Sequence, residues 1–352
     1  MRAHVTASVL AVLAAAASTP GARASVERPP QFVVMAFDNC TELERWHELS
    51  DFAAELNQDG DRLHFTFFVS GVNFIADASR RTYQGPNQSR GASRIGFGGT
   101  AEQVRKRVGY VNALQRSGHE IASHAVGHFD GGGWSGGDWD KELHAFSESM
   151  KNVGTNNGLP DVKLAFGAQE ITGFRAPYLA KNESLYGALR TNGFRYDASG
   201  VAAADAWPER IAGIWRFNLA MLRIAGSGKS TLSMDYNFFV AHSGAIEDPR
   251  RHEIAREQML QTYIKYFKAS YGGNRAPLHI GHHFSLMQGG AYNDALKAFA
   301  RAVCSLPEVR CVSYAELADF MDRQSAGTLA AFRKGDFARV ATPVVNLAEA
   351  RR

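Results

Sequence analysis

The chain has 352 residues, of which 45% are hydrophobic and 21% are charged, a composition typical of a globular protein with one large core or two modest ones. Its formal net charge of +4 results from 39 basic and 35 acidic residues. So small an excess favours neither nucleic acid nor a strongly anionic partner.

The first 24 residues have the pattern of a secretory signal peptide. An apolar run over residues 9–17 follows the basic Arg2, and Ala22-Arg23-Ala24 has the A-x-A form of a cleavage site. The run is too short to span a bilayer, and no later apolar stretch is long enough for a membrane helix. The sequence therefore predicts a secreted or periplasmic protein that begins near residue 25 and has no membrane span.

Predicted strands and helices alternate along the rest of the chain. Continuous apolar runs predict buried strands, and apolar residues at helical spacing predict helices. The predicted strands are 32–37, 64–69, 118–122, 171–174, 194–197, 278–283 and 309–313. The predicted helices are 43–56, 100–116, a helix capped near 138, 183–191, 252–271, 293–304 and 314–322. This α/β alternation predicts a parallel sheet closed into a barrel, with the functional loops at the carboxyl ends of the strands.

The three cysteines are consistent with an oxidising compartment. Cys304 and Cys311 flank a short turn and are close enough in sequence to form a disulfide, although two unpaired buried thiols also fit the pattern. Cys40 is then left over, and we interpret it as a small apolar residue that fills space.

Two strings that match other catalytic motifs do not have the required context. Residues 133–137 match G-x-S-x-G, but glycines precede them where a nucleophile elbow needs an apolar strand. Residues 226–230 are similar to a P-loop, but Arg223 occupies the position of its first glycine. The sequence therefore favours neither a serine hydrolase nor a nucleotide-binding protein.

The pair His124 and His128 is the best indication of chemistry. Two imidazoles four residues apart on one turn can bind a single Zn²⁺ from the same side, although the spacing alone also fits core or surface histidines. Other motifs accompany the pair, and Asp38, His124 and Arg175 all fall at predicted strand ends. These motifs are Asp38-Asn39, Thr66-Phe67-Phe68-Val69-Ser70-Gly71, Gly173-Phe174-Arg175-Ala176-Pro177-Tyr178 and Leu278-His279-Ile280-Gly281-His282-His283.

In this order the five motifs resemble those of the polysaccharide deacetylases of carbohydrate esterase family four: FDD, TFFxxG, HxxxH or HxxxxH, RxPY and a late strand with an apolar-x-His motif. The resemblance covers about residues 31–320. It implies a distorted (β/α) barrel of the polysaccharide deacetylase type, with long loop insertions. It also implies a hydrolase that removes N-acetyl groups from an N-acetylhexosamine-containing polysaccharide or oligosaccharide, of the chitin or cell-wall glycan type. The expected domains are a signal peptide (1–24), a catalytic domain (30–323) and a C-terminal tail (324–352).

The resemblance assigns catalytic roles to several residues. Asp38 would be the general base that takes a proton from water, and Arg175 would orient it and balance its charge. The backbone N–H of Tyr178 would help to hold the oxyanion. Either His282 or His283 would protonate the leaving amine. The spacing from the preceding apolar residue favours His282, but strand alternation does not decide which of the two faces inward.

The resemblance also implies a metal site, and the chain departs from the family there. Zn²⁺, or another divalent metal, would be held by His124, His128 and the residue after Asp38, which is Asn39 where the family has a second Asp. An amide oxygen binds Zn²⁺ less well than a carboxylate does. The sequence therefore leaves two hypotheses, an active N-deacetylase with an altered metal site and a catalytically weakened protein that binds cell-wall glycan.

Two long connections are predicted to shape access to the barrel mouth. Residues 77–99 are loop-like and longer than a plain connection needs, and residues 201–249 are interpreted in the same way. The second segment contains Trp207, Trp215 and Tyr236, which are candidates for stacking on sugar rings or, equally well, for packing in the core.

Overall fold

The computed structural model describes residues 26–60 and 62–346, so the predicted signal peptide lies outside the described residues. Within these residues one sheet of ten strands is surrounded by helices. The strands are β1 (Gln31–Asp38), β2 (Thr66–Val69), β3 (Glu120–Ser123), β4 (Gly173–Phe174), β5 (Tyr196–Ala203), β6 (Glu209–Ile211), β7 (Ile214–Arg223), β8 (Ser230–Leu232), β9 (Leu278–His283) and β10 (Val309–Cys311). The α-helices are α1 (Leu43–Leu56), α2 (Ala101–Arg116), α3 (Gly136–Lys151), α4 (Val153–Asn156), α5 (Ser184–Thr191), α6 (Asp235–Ser243), α7 (His252–Gly272), α8 (Ala291–Val303), α9 (Tyr314–Asp322) and α10 (Ala326–Lys334).

The sheet is mostly parallel, which confirms the α/β prediction. Its order is β10-β1-β2-β3-β4-β5-β7-β6, β9 also pairs with β1, and only β6 and β8 run antiparallel to their partner β7. The sheet is not closed, because no ladder among the described strands joins β7 to β9. The segment after β8 spans this gap by a single bridge between Met234 and Gly281. The strands thus curl towards a distorted barrel without completing it.

Strand alternation divides the core into two parts. In β1 the side chains of Phe32, Val34 and Ala36 point to the inner side of the curled sheet, whereas Val33 and Met35 pack against the helices. Asp38 continues the inner series at the carboxyl end of the strand. The same alternation that fills the interior with apolar groups therefore places one carboxylate at its mouth.

The segment 201–249 differs from its interpretation as a loop insertion. It contains β6, β7, β8 and α6 and supplies part of the sheet. Polar residues Arg216 and Asn218 interrupt the apolar run of β7, which hid this strand in the sequence. Trp207 and Trp215 are each only 4% exposed and pack in the core. Residues 77–99, in contrast, form a 3₁₀ turn (Asp77–Thr82) followed by loop.

The cysteines and the C-terminal segment complete the packing. Cys304 and Cys311 form a disulfide between the end of α8 and β10, and Cys40 is a buried free cysteine. The segment from 324 onward, predicted as a tail, contains α10 and buries Phe332 and Phe337 against the inner core. The packed part of the chain therefore extends beyond residue 323. No helix among the described residues is long and apolar enough to cross a bilayer.

Candidate functional site

The carboxyl ends of β1, β3, β4 and β9 surround a cavity of about 640 Å³. This is the position that parallel strands give to a site, because their carboxyl ends meet at one edge of the sheet. Six of the eight residues predicted from the sequence line the cavity, Arg175 bonds to one of these six, and His282 lies on the other side of β9. The lining residues are Asp38, Asn39, His124, His128, Ala176, Tyr178, Leu179, Leu232, Met234, Tyr236, Asn237, Phe239, His283, Ser285 and Met287.

Asp38 and Arg175 form a buried ion pair at the base of this cavity. Arg175 Nη1 donates to Asp38 Oδ1 at 2.8 Å, and the arginine side chain is fully buried. Its Nε donates to the carbonyl of Ala198 at 3.1 Å, and its Nη2 to the hydroxyl of Tyr314 at 3.3 Å. Burial opposes the charge, but the Asp38 carboxylate raises the pKa of Arg175 above its usual value. The guanidinium therefore holds one carboxylate oxygen of Asp38 in place.

His283 is the register partner of Asp38 in the β1–β9 ladder, so both side chains lie on the same side of the sheet. Its Nδ1 donates to Asp235 Oδ1 at 2.6 Å, and its backbone N–H donates to Asp235 Oδ2 at 2.7 Å. Burial acts to lower the pKa of His283, but the carboxylate of Asp235 outweighs it and raises the pKa. Asp235, at the first position of α6, thus favours the protonated form of His283 at the cavity.

His282 points to the opposite side of β9. Its Nε2 lies 3.1 Å from the hydroxyl of Tyr263 on α7, and its ring packs edge-on against Phe37. Burial lowers the pKa of His282 to about 4, so this ring is neutral near pH 7. The structure therefore directs His283, and not His282, into the cavity. The spacing from Ile280 favoured His282, but residues two apart on a strand share a face, and Ile280 faces the helices.

His124 and His128 lie side by side at the cavity, with ring centroids 5.0 Å apart. His124 Nδ1 donates to the carbonyl of Arg175 at 2.8 Å, which leaves its Nε2 with a free lone pair. Burial lowers the pKa of His124, and burial together with His124 lowers that of His128 to about 3. Both rings are therefore neutral, the form in which imidazole binds a metal.

Asn39 lines the same cavity as the two histidines. Its Oδ1 atom and the Nδ1 atom of His128 are buried and have no hydrogen-bond partner among the described residues. Such orphaned buried groups are rare and indicate an additional ligand. Among the described residues there is no group of three or more His, Cys, Asp or Glu side chains placed to hold a metal ion. The residues present nevertheless fit a divalent metal, with two imidazoles and one neutral amide oxygen as donors.

Three of the site residues predicted from the sequence adopt left-handed backbone conformations. The φ angles are 52° for Asn39, 57° for His128 and 58° for Tyr178. Asparagine and histidine tolerate this region better than most residues, whereas a tyrosine there is strained, and such strain concentrates at functional sites. The Tyr178 ring packs edge-on against His128 at 4.7 Å. Its N–H takes no part in the turn, which is closed by the N–H groups of Leu179 and Ala180.

Two carboxylates that support the site were missed in the sequence. Asp235 lies in the segment interpreted as a loop, and no spacing links it to β9. Glu142 is buried and accepts hydrogen bonds from the N–H groups of Val126 and Gly127, at 2.9 and 3.2 Å, and from the Tyr83 hydroxyl. It thereby fixes the loop between the two candidate ligands His124 and His128. A signal for Glu142 exists, since it shares the apolar face of α3 with Trp139 and Phe146.

Comparison with protein-family models finds no match to this chain, and comparison with curated proteins finds none either. Solved structures of polysaccharide deacetylases are similar to it. A proposed polysaccharide deacetylase from Mycobacterium smegmatis is 16% identical with a TM-score of 0.47, and the similarity covers 85% of this chain and 95% of the other. A pseudoenzyme of the CE4 family from Bacillus anthracis is 10% identical with a TM-score of 0.43, and the similarity covers 82% of this chain and 66% of the other. The chitin deacetylase of the fungal pathogen Colletotrichum lindemuthianum is 12% identical with a TM-score of 0.40, and the similarity covers 78% of this chain and 85% of the other. At such identities and TM-scores these similarities assign the chain to no family.

Proposed function

We propose that this protein is a metal-dependent hydrolase that removes N-acetyl groups from an N-acetylhexosamine-containing polysaccharide or oligosaccharide. The observation that supports it is one cavity that brings together two neutral histidines and two pairs, each of which joins a carboxylate to a basic side chain. In the first pair Arg175 holds the carboxylate of Asp38, and in the second Asp235 raises the pKa of His283, which favours its protonated form. A base and an acid on neighbouring strands are the two groups that hydrolysis of an amide requires.

In this proposal Asp38 accepts the proton of the attacking water. Its Oδ1 is held by Arg175, so Oδ2 is the oxygen available to the water. The fixed guanidinium keeps the carboxylate oriented during proton transfer, which avoids reorganisation in the transition state. The backbone N–H of Tyr178, beside His128, is the candidate donor to the oxygen of the acyl group.

His283 then donates a proton to the leaving amine. An amine leaves as a neutral molecule only after protonation, so the acid must be charged at the working pH. Because Nδ1 of His283 donates to Asp235, its Nε2 is the atom that can deliver the proton into the cavity. Asp235 is a positioning residue in this scheme, since it acts through His283.

His124, His128 and Asn39 are the residues that would hold the metal. The chemistry that a divalent cation supplies when bound is Lewis acidity towards a carbonyl oxygen and towards water. The carbonyl of Arg175 fixes the tautomer of His124, and Glu142 fixes the loop that carries His128. Residues that orient ligands in this way typically contribute about 10- to 100-fold to metal affinity or activity.

Metal analysis combined with acetate release from N-acetylglucosamine oligomers tests this function. We expect about one divalent metal per chain and release of acetate, both lost in His124→Ala and in His128→Ala. His144→Ala is the control, because His144 is exposed on α3. Full metal occupancy in either variant of the pair would refute the metal site, and absence of acetate release from the loaded wild-type protein would refute the activity.

The second hypothesis, a weakened protein that binds glycan without turnover, is favoured by Asn39 alone. Asn39→Asp adds a carboxylate at a position whose φ suits aspartate, so we expect Zn²⁺ to bind at least about tenfold more tightly, or ~1.4 kcal/mol. Competition with a chelator would measure this. Increased acetate release would support the weakened protein, whereas flat or reduced turnover would indicate a tuned enzyme. Asn87→Asp is a matched control, since Asn87 is exposed and also has a positive φ. Unchanged affinity would show that Asn39 does not face the metal.

The Asp235–His283 pair predicts a specific change in pH dependence. The pKa of His283 is raised by Asp235, so His283 is protonated below its folded-state pKa and turnover falls as the pH rises through that value. Asp235→Asn removes the negative charge, so the alkaline limb of kcat should move to lower pH and the loss should be greatest at alkaline pH. Asp248→Asn, on the loop after α6, should leave the limb in place. A uniform loss at every pH would show that Asp235 has only a structural role.

A further inference from the structure

The cavity side formed by β8, α6, the connection between them and the loop after β9 is mostly apolar. Its lining residues are Leu232, Met234, Phe239 and Met287, with Asn237 and Ser285 as polar members. The wall continues to the surface, where Tyr236 and Val240 lie one turn apart on α6 and are 49% and 45% exposed. Leu286, which is 50% exposed, is next to Met287. An apolar surface that runs from solvent to the reacting groups is a binding feature and not a packing defect.

A second, more polar cavity adjoins the first at Tyr178. It has a volume of about 380 Å³, and its remaining lining residues are Gln88, Arg94, Phe129 and Asp130. The guanidinium of Arg94 lies 5.9 Å from the centre of the Phe129 ring. Amide, guanidinium and carboxylate groups beside two aromatic rings provide hydrogen bonds and stacking for sugar hydroxyls and ring faces. The saccharide therefore fits on this side of Tyr178, because hydroxyls buried without partners are costly.

With the sugar on the polar side, the acyl group is the part of the substrate left for the apolar wall. We propose that this wall binds the N-acyl chain and that the substrate is an amino sugar carrying a saturated acyl chain of about four to eight carbons, longer than acetyl. The inference rests on the proposed hydrolase function. A single methyl group can contact only a small part of the apolar lining formed by Leu232, Phe239 and Met287, whereas a longer chain can contact all of it. Each methylene buried in this way should raise binding about threefold to fourfold.

The chemistry balances as ordinary amide hydrolysis. The oxygen of water forms a bond to the acyl carbon, its proton passes to Asp38, the carbon–nitrogen bond breaks, and His283 supplies a proton to the amine. The products are a free fatty acid and a free amino sugar, with no oxidant, reductant or further reactant consumed.

A chain-length series on the metal-loaded wild-type protein tests the proposal. Chitobiose bearing N-acetyl, N-butanoyl, N-hexanoyl or N-octanoyl groups is supplied, and the released acid is quantified. We expect kcat/KM to rise about threefold per methylene up to hexanoyl. Equal or falling kcat/KM would overturn the acyl-chain inference and leave the deacetylase function intact if acetate is released. Absence of any released acid would overturn both.

Variants and a second substrate series test where the N-acyl chain binds. Leu232→Asn, at a half-buried position, and Phe239→Ala should each reduce the octanoyl-to-acetyl ratio of kcat/KM at least about tenfold. Val201→Asn, at an exposed position on β5, should keep the wild-type ratio. An unchanged ratio in Leu232→Asn would overturn the assignment of this wall. N-acetylchitobiose with an octyl aglycone is the second series. A kcat/KM that rises with the octyl aglycone and not with the length of the acyl chain would also overturn the assignment of this wall to the acyl chain.

Discussion

Replacement of Asp38 by asparagine is expected to lower kcat for acid release by about 10²- to 10⁴-fold, the usual contribution of a general base, while bound metal is retained. The amide keeps an oxygen that can accept the hydrogen bond from Arg175, so the geometry around the guanidinium should persist. What disappears is the ability of Oδ2 to take a proton from water. The measurement is kcat under saturating substrate together with metal content by elemental analysis.

The roles of base and metal ligand separate in this experiment. If Asp38 mainly held the metal, the Asn variant would lose metal and activity together, and the assignment of the base would be wrong. Asp77→Asn is the control, because Asp77 is exposed at the start of the loop 77–99. The melting temperature of both variants should be measured as well. Arg175 loses its counter-charge in Asp38→Asn and loses no partner in Asp77→Asn.

The clustering of Asp38, His124 and Arg175 was predictable because all three follow apolar runs. Such runs become buried parallel strands, and the carboxyl ends of parallel strands lie at one edge of a sheet. The disulfide between Cys304 and Cys311 is likewise present in the structure. In each case the signal was local, contained in a few adjacent residues.

The parts that the sequence did not reveal depend on contacts between distant segments. Asp235 meets His283 across 48 positions of the chain, and no residue near either one signals the pairing. The choice between His282 and His283 depended on which face of β9 turns inward, and adjacent histidines on a strand carry no information about that. Glu142 acts on a loop 15 and 16 residues earlier in the chain, and its signal was a single charge on an apolar helix face.

Replacement of Arg175 by methionine is expected to cost about 3–5 kcal/mol of unfolding free energy and to abolish turnover. The guanidinium is fully buried and satisfies Asp38, Ala198 and Tyr314, and its centre lies 4.3 Å from the ring of Phe68. Methionine fills much of the same space but leaves the carboxylate of Asp38 buried without a counter-charge. Urea unfolding of the purified variant measures the loss, with Arg105→Met, at an exposed ion pair, as the control expected to lose far less unfolding free energy.

Addition of Asp38→Asn to Arg175→Met should recover a large part of that stability, because the double variant buries neither charge. A buried ion pair is costly to break and much less costly to remove as a whole, so the two changes should be strongly non-additive, by more than about 1 kcal/mol. Turnover should stay absent in the double variant, since no base remains. Additive losses in unfolding free energy would show that Arg175 stabilises the protein through Ala198, Tyr314 and Phe68. In that case its contact with Asp38 would serve the orientation of the base and not the stability of the fold.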